Sequence, residues 1–401
     1  MRELITPRRA KDIILATLKK LPSVACPISQ CAGRILRERV SADRPFPPFN
    51  RSMMDGYAIR TAEIDASGTF KIIAQAPAGA PELTLGNEPG VCAEIMTGAV
   101  VPSDADCVVP YEVTRQIDET HMQVINRKDH AAGDFIHAYA SDRPIGEVLL
   151  APGICIGSRE IAVAASCGCK TLLVSEKPSI AVVSTGDELV DITATPAAHQ
   201  IRRSNDLMID AALKRRDLPA AQLAHLPDEP NACQAQLQAL IAQHDLIILS
   251  GGISMGKKDY IPAALDALGL HCQFHGVAQK PGKPLGFWSH PECAVFTLPG
   301  NPLSTLTCWH QYVLPALDHF MGQDSSPIPP QLSLEAPVKA RDDITIFLPV
   351  SRKANNIASA QPANNSGDLV RILQSDGYIE LPPTQEKGYP TGKSFDFHPW
   401  Y

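Results

Sequence analysis

The spacing of hydrophobic residues along this 401-residue chain changes several times, and each change predicts a different kind of structure. Near the N-terminus, apolar residues recur at intervals of three and four from Ala10 onward, which predicts an amphipathic helix that ends at Pro22. A proline-rich segment, Asp43–Phe49, follows it. From there to about residue 150, short β-branched runs separated by turn residues predict strands, and Ser158 is expected to cap a helix over Arg159–Ser166.

Residues 178–322 have a different pattern, in which short, fully apolar runs alternate with amphipathic segments. The apolar runs predict buried strands at Ile180–Ser184, Asp245–Ser250 and Cys293–Leu298. The segments between and after them predict helices that begin after Ser204, near Glu229, near Tyr260 and at Asn301. Buried strands that alternate with helices predict a doubly wound, parallel α/β sheet.

After a linker at Pro327–Pro330, apolar and polar residues alternate again over residues 328–401. Alternation with a period of two predicts half-buried strands. Glycine, asparagine and proline separate the runs, so this segment is expected to form a small β barrel or sandwich.

Composition then excludes several classes of protein. Charged residues are 20% of the chain and hydrophobic residues 44%, which is ordinary for a globular protein. The formal net charge of −7 gives no electrostatic reason to expect nucleic acid or an anionic membrane as a partner. No apolar run approaches the roughly 20 residues of a membrane helix. The first twenty residues contain no apolar h-region or small-residue cleavage site, so no secretion signal is expected. Eleven cysteines without a C-x-x-C pair predict a reduced, cytoplasmic protein, and the spacing of the twelve histidines gives no reason to expect a zinc site.

Three loops rich in small residues follow the predicted strands of the α/β segment. They are Ser184–Glu188, Ser250–Gly256 and Leu298–Pro302. Since ligands of open parallel sheets bind beyond the carboxyl ends of the strands, and glycine lets the backbone approach an anion, the three loops together predict a phosphate-bearing ligand. Lys280 and Lys283, on a proline-stiffened turn, are candidates to hold its oxygens.

Acidic residues occur in the same loops, and a carboxylate cluster beside a phosphate site suggests Mg²⁺. Taken singly, each acid is better explained as a helix cap or a solvated charge, Asp228 most of all. The segment around Ser254 also matches the G-x-S-x-G pattern of serine hydrolases. Lys257 and Lys258 separate that serine from the next helix, which argues against a nucleophile elbow.

Taken in chain order, these motifs resemble one family closely: the molybdopterin molybdenumtransferases, the molybdenum insertases called MoeA in bacteria and matched by the E domain of gephyrin in animals. The matching segments are Pro47–Ala58, Ile95–Ala99, Ala105–Pro110, Gly146–Leu150, Val183–Val190, Ser204–Asn205, Ser250–Gly256, Asp259–Tyr260, Lys280–Pro284, Leu298–Ser304, Asn365–Gly367 and Gly377–Pro382.

The resemblance implies four regions. Residues 1–177 would hold a linker domain, at about 1–44 and 143–177, and an inserted β-rich domain at about 45–142. An α/β molybdopterin-binding domain would follow at 178–322 and a C-terminal β barrel at 328–401. The resemblance also implies a homodimer that inserts molybdate into adenylylated molybdopterin with Mg²⁺ and releases AMP. The molybdopterin adenylyltransferase and molybdoenzyme maturation factors are expected as further partners.

The same resemblance assigns residues to roles. Catalytic roles fall on Asp55, Thr97, Asp142 and Glu188, and the three acids among them would also contact Mg²⁺ or molybdate. The implied substrate-binding residues are Ser184, Thr185, Gly186, Asp228, Gly251, Gly252, Ser254, Asp259, Lys280, Lys283, Pro299, Gly300, Asn301, Pro302, Ser304 and Ser366.

Two segments depart from the family pattern. The family's G-E-D is Ala140-Ser141-Asp142 here, and the acid that usually precedes Ser204 is Arg203, which would retune anion binding or mark a diverged paralogue. Two other functions stay open, a molybdopterin adenylyltransferase and a non-catalytic molybdopterin-binding or scaffold protein. Asp55, Thr97 and the barrel favour the insertase over the adenylyltransferase.

Overall fold

A computed structural model describes residues 4–125, 129–218, 222–227, 229–253, 260–323, 328–362 and 365–400. The chain divides into two compact units. The smaller contains Glu38–Ala151 and Ser158–Lys170, and the larger contains the chain up to Arg37, Pro152–Gly157 and the chain from Thr171 onward. Within the described ranges, no helix combines the length and the apolar character that a membrane span requires.

The N-terminal helix, α1 (Pro7–Thr17), belongs to the larger unit. Thr6 caps it by accepting a hydrogen bond from the backbone N–H of Arg9, and Pro7 occupies the first turn, where a missing N–H costs nothing. The helix was predicted to continue to Pro22, but it ends at Thr17 because Leu18 is already extended. The extended segment then leads to strand β1 (Ser23–Pro27).

The smaller unit is mostly antiparallel β structure, as the strand-like pattern predicts. Its elements are β2 (Val40–Ser41), β3 (Arg51–Ser52), β4 (Gly56–Ile59), β5 (Thr69–Ala76), β6 (Val91–Ile95), β7 (Cys107–Pro110), β8 (Thr114–Gln116), β9 (His121–Val124), β10 (Ile136–His137), β11 (Val148–Leu150) and helix α2 (Ser158–Ser166). Six of these strands form one sheet in the order β7-β4-β6-β5-β9-β8, which leaves β7 at an edge. Tyr57, Phe70 and Met122 lie in the core on one face of it.

The larger unit continues with the α/β segment. Its elements are β12 (Thr171–Ser175), β13 (Ile180–Thr185), β14 (Leu189–Val190), β15 (Ile201–Arg202), α3 (Asn205–Arg215), β16 (Gln222–Leu226), α4 (Pro230–Ile241), β17 (Leu246–Ser250), α5 (Ile261–Ala267), β18 (His271–His275), β19 (Gln279–Lys280), β20 (Gly286–Ser289), β21 (Ala294–Leu298), α6 (Pro302–Cys308) and α7 (Leu314–Phe320). A π-helical turn, Trp309–Val313, joins α6 to α7, and β12 pairs with β1.

The predicted doubly wound fold is confirmed, with one addition. The main sheet has the order β16-β13-β17-β21-β20-β18; the first four strands are parallel, whereas β20 and β18 add an antiparallel edge. Successive residues of β13 point to opposite faces: Val182 packs in a core with α1, α3, α6 and α7, and Val183 packs in a core with α4 and α5. The sheet is therefore covered on both faces.

The C-terminal segment is a closed barrel rather than a sandwich. Its elements are β22 (Gln331–Leu334), β23 (Val338–Lys339), β24 (Thr345–Lys353), β25 (Ile357–Ala360), α8 (Leu369–Ile372), β26 (Gly377–Leu381), β27 (Gly388–Tyr389) and β28 (Ser394–Pro399). Five strands close in the order β24-β25-β22-β28-β26 and back to β24, around a core that includes Leu332 and Ile379. Strand β19 pairs in parallel with the beginning of β24. The turn that begins at Lys280 is therefore attached to the barrel by backbone pairing.

The departure at Ala140 carries a backbone cost. Ala140 has φ +59°, in the left-handed region that a Cβ disfavours and glycine tolerates. The segment thus has the backbone conformation suited to the glycine of the family's G-E-D, although alanine occupies the position.

We therefore expect Ala140→Gly to stabilise the protein by up to about 1 kcal/mol. The substitution relieves left-handed strain of about 1–2 kcal/mol, and the unfolded-state entropy that glycine adds offsets about 0.4–1 kcal/mol of this gain. The midpoint of urea unfolding measures the change. Ala138→Gly is the matched control, because Ala138 is not among the residues with positive φ. It should lower the midpoint, and an equal loss in both variants would contradict the interpretation.

Candidate functional site

The main cleft of the α/β segment lies at the point where the chain reverses its direction across the sheet. From β13, one connection leads to β16 on one side, and the next leads to β17 on the other. Ser184 is paired with Ser250, and Ser250 with Leu298, so the three strands end level with one another. Ligands of doubly wound folds bind at this switch point.

The cleft has a volume of about 640 Å³. Its lining residues are Ser184, Thr185, Gly186, Glu188, Leu189, Ile201, Arg202, Ser204, Asn205, Ser250, Gly251, Gly252, Ile253, Pro284, Pro299, Gly300, Asn301, Pro302 and Gly367. The structure therefore brings the three predicted loops together around one cavity, and it adds the β14–β15 segment and one residue of the C-terminal domain.

Glycine is required where the second loop crosses the first. Gly251 has φ +98°, and a Cβ on it would lie 2.6 Å from the carbonyl oxygen of Thr185. Gly252 has φ +63°, and a Cβ there would lie 2.6 Å from the Thr185 hydroxyl oxygen. Any larger residue would push the loops apart, so the two glycines keep the backbone of the loop open to a ligand.

Asn205, the first residue of α3, connects the second and third loops. Its side-chain amide donates to the Ser250 hydroxyl and to the Gly300 carbonyl, each at 2.8 Å. The Asn205 Oδ1 atom and the Thr185 hydroxyl are buried and have no hydrogen-bond partner among the described residues. Buried polar atoms are almost always paired, so these two are available to a ligand. The sequence prediction missed Asn205 as a site residue, although its position after Ser204 in a family motif was a signal.

Asn301 is the N-cap residue of α6, as predicted, but its side chain makes no capping hydrogen bond and reaches the C-terminal domain instead. Its amide donates to the Ser366 hydroxyl at 2.7 Å, and the Leu303 N–H donates to the Ser366 carbonyl. The loop that holds Ser366 thereby places Gly367 in the cleft wall. Ser304 is 3% exposed in the first turn of α6 and does not line the cleft.

The predicted lysines lie beside the cleft, not in its wall. Lys280 and Lys283 are exposed, whereas Pro284 lines the cleft. Two hydrogen bonds of the buried Gln279 side chain hold the turn between them in place. Its amide donates to the Gly282 carbonyl at 3.1 Å and accepts from the Tyr312 hydroxyl. The turn is therefore held in place while both lysine side chains extend into solvent beside the cleft.

Glu188 and Arg203 are the charged residues that the sequence singled out near the first loop. Glu188 lines the cleft, and its carboxylate lies 2.5 Å from where a Cβ on Gly186 would be. Arg203, the predicted departure, is paired with Asp191 at 3.1 Å and lies 3.6 Å from the fully buried Asp206. Two carboxylates neutralise the arginine, so the substitution does not add a free positive charge to the ligand loops.

The smaller unit carries the remaining predicted acids. Thr97 donates both its backbone N–H and its hydroxyl to Asp55 Oδ1, at 2.6 and 2.7 Å, and these hydrogen bonds hold the pKa of Asp55 below its usual value. His137 contacts Asp142 at 2.8 Å and likewise lowers the pKa of that carboxyl. The other nitrogen of His137 lies 3.0 Å from the Arg51 guanidinium, so His137 is a neighbour that the sequence prediction missed.

Three predicted residues, Asp228, Ser254 and Asp259, lie outside the described residues. Glu229, beside the first of them, caps α4 by accepting from the N–H groups of Asn231 and Ala232. The assignment of Mg²⁺ or molybdate to Asp55, Asp142 and Glu188 stays a prediction.

Comparisons with known protein families cover almost the whole chain. Residues 5–168 match the MoeA N-terminal region (domain I and II), residues 181–319 match a probable molybdopterin binding domain, and residues 331–400 match the MoeA C-terminal region (domain IV).

Individual relatives agree with the family models. A molybdopterin molybdenumtransferase of Synechocystis sp. is 36% identical over 99% of this chain and 100% of its own, and one of Staphylococcus epidermidis is 30% identical over 98% and 95%. Two crystal structures of a molybdopterin biosynthesis MoeA protein from Pyrococcus horikoshii have TM-scores of 0.81 and 0.83. They are 24% and 23% identical and cover 100% and 99% of this chain and 100% of their own, so they show the same fold.

We expect Asn205→Ala to loosen both loops that its amide joins, because two hydrogen bonds of about 1 kcal/mol each are lost. Hydrogen exchange should become faster in peptides that contain Ser250 and Gly300. Asn231→Ala, at an exposed position in the first turn of α4, is the matched control and should leave those peptides unchanged. Unchanged exchange in Asn205→Ala would contradict the connecting role.

We also expect Thr97→Val to raise the pKa of Asp55 toward its usual value, because one of two donors to the carboxylate is removed. A carbon-13 NMR pH titration of labelled aspartate, assigned with Asp55→Asn, measures the pKa. Thr97→Ser keeps the hydroxyl and should restore the low value. Identical titrations in all three proteins would show that the hydroxyl has no influence.

Proposed function

The chain belongs to the molybdopterin molybdenumtransferase family, and on that premise we propose that it inserts molybdenum from molybdate into adenylylated molybdopterin and releases AMP. The observation that supports this most strongly is the cleft at the switch point of the α/β sheet. Much of its wall is made of small residues and loop backbone, with Glu188 and Arg202 also in it, and two helices, α3 and α6, begin at it. Such a wall suits a pterin whose phosphates are held by backbone N–H groups and helix N-termini.

The substrate and molybdate are both anions, so the cleft needs positive partners. Lys280 and Lys283 are the cations we assign to the pyrophosphate, because their turn is rigid and their neighbour Pro284 lines the cleft. Asn205 and Thr185 would complete the contacts with buried polar atoms that the described residues leave unpaired. Asn205 holds the loops in position while the ligand is bound.

Oxygen ligands in the cleft fit Mg²⁺, which prefers carboxylate and hydroxyl oxygens together with those of a phosphate. Glu188 and the Thr185 hydroxyl, which has no hydrogen-bond partner among the described residues, are the groups that would hold it. A bound Mg²⁺ would neutralise charge on the pyrophosphate as it breaks. No protein nucleophile is required, because the chain's own task is to position two anions against each other.

Asp55 and Asp142 are the acids of the smaller unit that we assign to the same reaction. Their low pKa values favour the ionised form, because each accepts hydrogen bonds from fixed donors. Ionised carboxylates are suited to contact a metal ion or to repel a wrongly placed anion, whereas a general acid would need a raised pKa.

The assembly that we propose is a homodimer, with the molybdopterin adenylyltransferase and molybdoenzyme maturation factors as further partners. All eleven cysteines are free thiols, which agrees with a reduced compartment, and we propose the cytoplasm.

Light scattering tests the proposed homodimer. Mixing Glu188→Gln with Asp55→Asn chains tests shared sites, since recovered insertion would require residues from two chains.

We expect Glu188→Gln to bind adenylylated molybdopterin nearly as well as the unchanged protein but to lose molybdenum insertion by about 100-fold or more, the size typical of a lost charge-stabilising group. Isothermal titration measures binding, and AMP release with and without molybdate measures insertion. Glu176→Gln, an exposed glutamate before the opposite end of β13, is the control and should keep full activity.

The same assay distinguishes the alternatives. An insertase should release AMP from adenylylated molybdopterin only when molybdate is added and should not consume ATP with free molybdopterin. ATP consumption would favour the adenylyltransferase, and binding without AMP release in the unchanged protein would favour the scaffold.

A further inference from the structure

A group of side chains that could hold a metal ion lies in the smaller unit. The sulfur of Cys107, a ring nitrogen of His130 and a carboxylate oxygen of Asp134 all lie within 4.8 Å of one another. Cys107 lies well before His130 and Asp134 in the sequence, and a single cysteine with a single histidine forms no paired zinc motif, so the spacing of histidines and cysteines gave no indication of a site.

Backbone hydrogen bonds bring the three residues together. Cys107 begins β7, which is an edge strand of the six-stranded sheet. The segment before β10 runs along that edge, where Val108 N–H donates to the Asp134 carbonyl at 3.1 Å and Gly133 N–H donates to the Asp106 carbonyl at 2.7 Å. The convergence therefore follows from ordinary strand-edge contacts.

A turn then fixes the carboxylate of Asp134. The Ala131 N–H donates to Asp134 Oδ2 at 2.7 Å, and the Asp134 N–H donates to the Ala131 carbonyl. One carboxylate oxygen is thereby held by the backbone, which orients the other and reduces the entropy that a bound ion would otherwise have to remove.

His130 supplies an independent observation. Both of its ring nitrogens are shielded from solvent, and neither has a hydrogen-bond partner among the described residues. Buried polar atoms are almost always paired, so two nitrogens on one ring without a partner among the described residues need an explanation. Coordination of one nitrogen by a metal ion would satisfy it.

The set of donors indicates which ion fits. A thiolate, an imidazole and a carboxylate together are typical of Zn²⁺, whereas Mg²⁺ and Ca²⁺ select oxygen ligands. Cys107 is fully buried, but His130 and Asp134 are partly exposed, so an ion can enter from the side of the solvent.

We propose that Cys107, His130 and Asp134 bind one Zn²⁺ ion, with water as the fourth ligand, at a site separate from the sheet switch point. The ion would fasten the segment that ends in β10 to the edge of the sheet. Because β10 contains His137, which contacts Asp142, the site would also steady that predicted acid.

The test uses the full-length protein, stripped with a chelator, reloaded with Zn²⁺ and desalted, with metal measured by mass spectrometry. We expect one Zn²⁺ per chain, and its loss in Cys107→Ser and His130→Gln. Cys92→Ser, which alters another fully buried cysteine of the same core, should keep the ion. Absence of zinc from the reloaded unchanged protein, or equal loss in Cys92→Ser, would overturn the proposal.

Cobalt provides a second measurement that does not depend on total metal. Co²⁺ should give a thiolate-to-cobalt absorption band in the unchanged protein and in Cys92→Ser but not in Cys107→Ser, and a band that persists in Cys107→Ser would overturn the assignment. Asp134→Asn preserves shape and should weaken Zn²⁺ binding by about 10–100-fold in a competition titration. Unchanged affinity in this variant would exclude Asp134 as a ligand.

Discussion

The close passage of the Gly251–Gly252 backbone over Thr185 is the contact on which the cleft depends. With a Cβ at either position, the second loop would have to move away from the first, and the level ends of β13, β17 and β21 would no longer form one wall. The topology fixes where a ligand can bind, because the connections from β13 to β16 and from β16 to β17 place successive strands on opposite sides of β13. Because Gly251 and Gly252 have no side chains, the backbone of the second loop is exposed to a ligand at this switch point.

Long-range hydrogen bonds then hold that surface in shape. Asn205 joins the second and third loops, and Asn301 joins the third loop to Ser366 of the C-terminal domain. The barrel is also attached through β19, so the turn with Lys280 and Lys283 is fixed by the same domain. The C-terminal domain therefore contributes to the site mainly by positioning loops of the α/β sheet.

Two of the predicted acids, Asp55 and Asp142, are kept ionised by hydrogen-bond donors. The positive charge of Arg203 is neutralised by neighbouring carboxylates. Thr97 and His137 stabilise the carboxylates of Asp55 and Asp142, whereas Asp191 and Asp206 pair with Arg203. The Arg203 substitution therefore changes an ion-pair network beside the cleft without changing the sign of charge inside it. The backbone of Ala140, in contrast, is left-handed, a conformation that the Cβ of alanine makes unfavourable.

The sequence by itself determined the doubly wound sheet and the loops at its edge, because apolar strands, helix starts and glycine turns are local patterns with local physical causes. Only the tertiary structure decided what Asn205, Asn301 and His137 contact, since each bonds to a residue that local spacing does not specify. For the same reason, the Cys107, His130 and Asp134 group became visible only when the edge of β7 brought distant segments together. Periodicity reports which face of an element is buried, but hydrogen bonds between distant loops depend on how the elements pack.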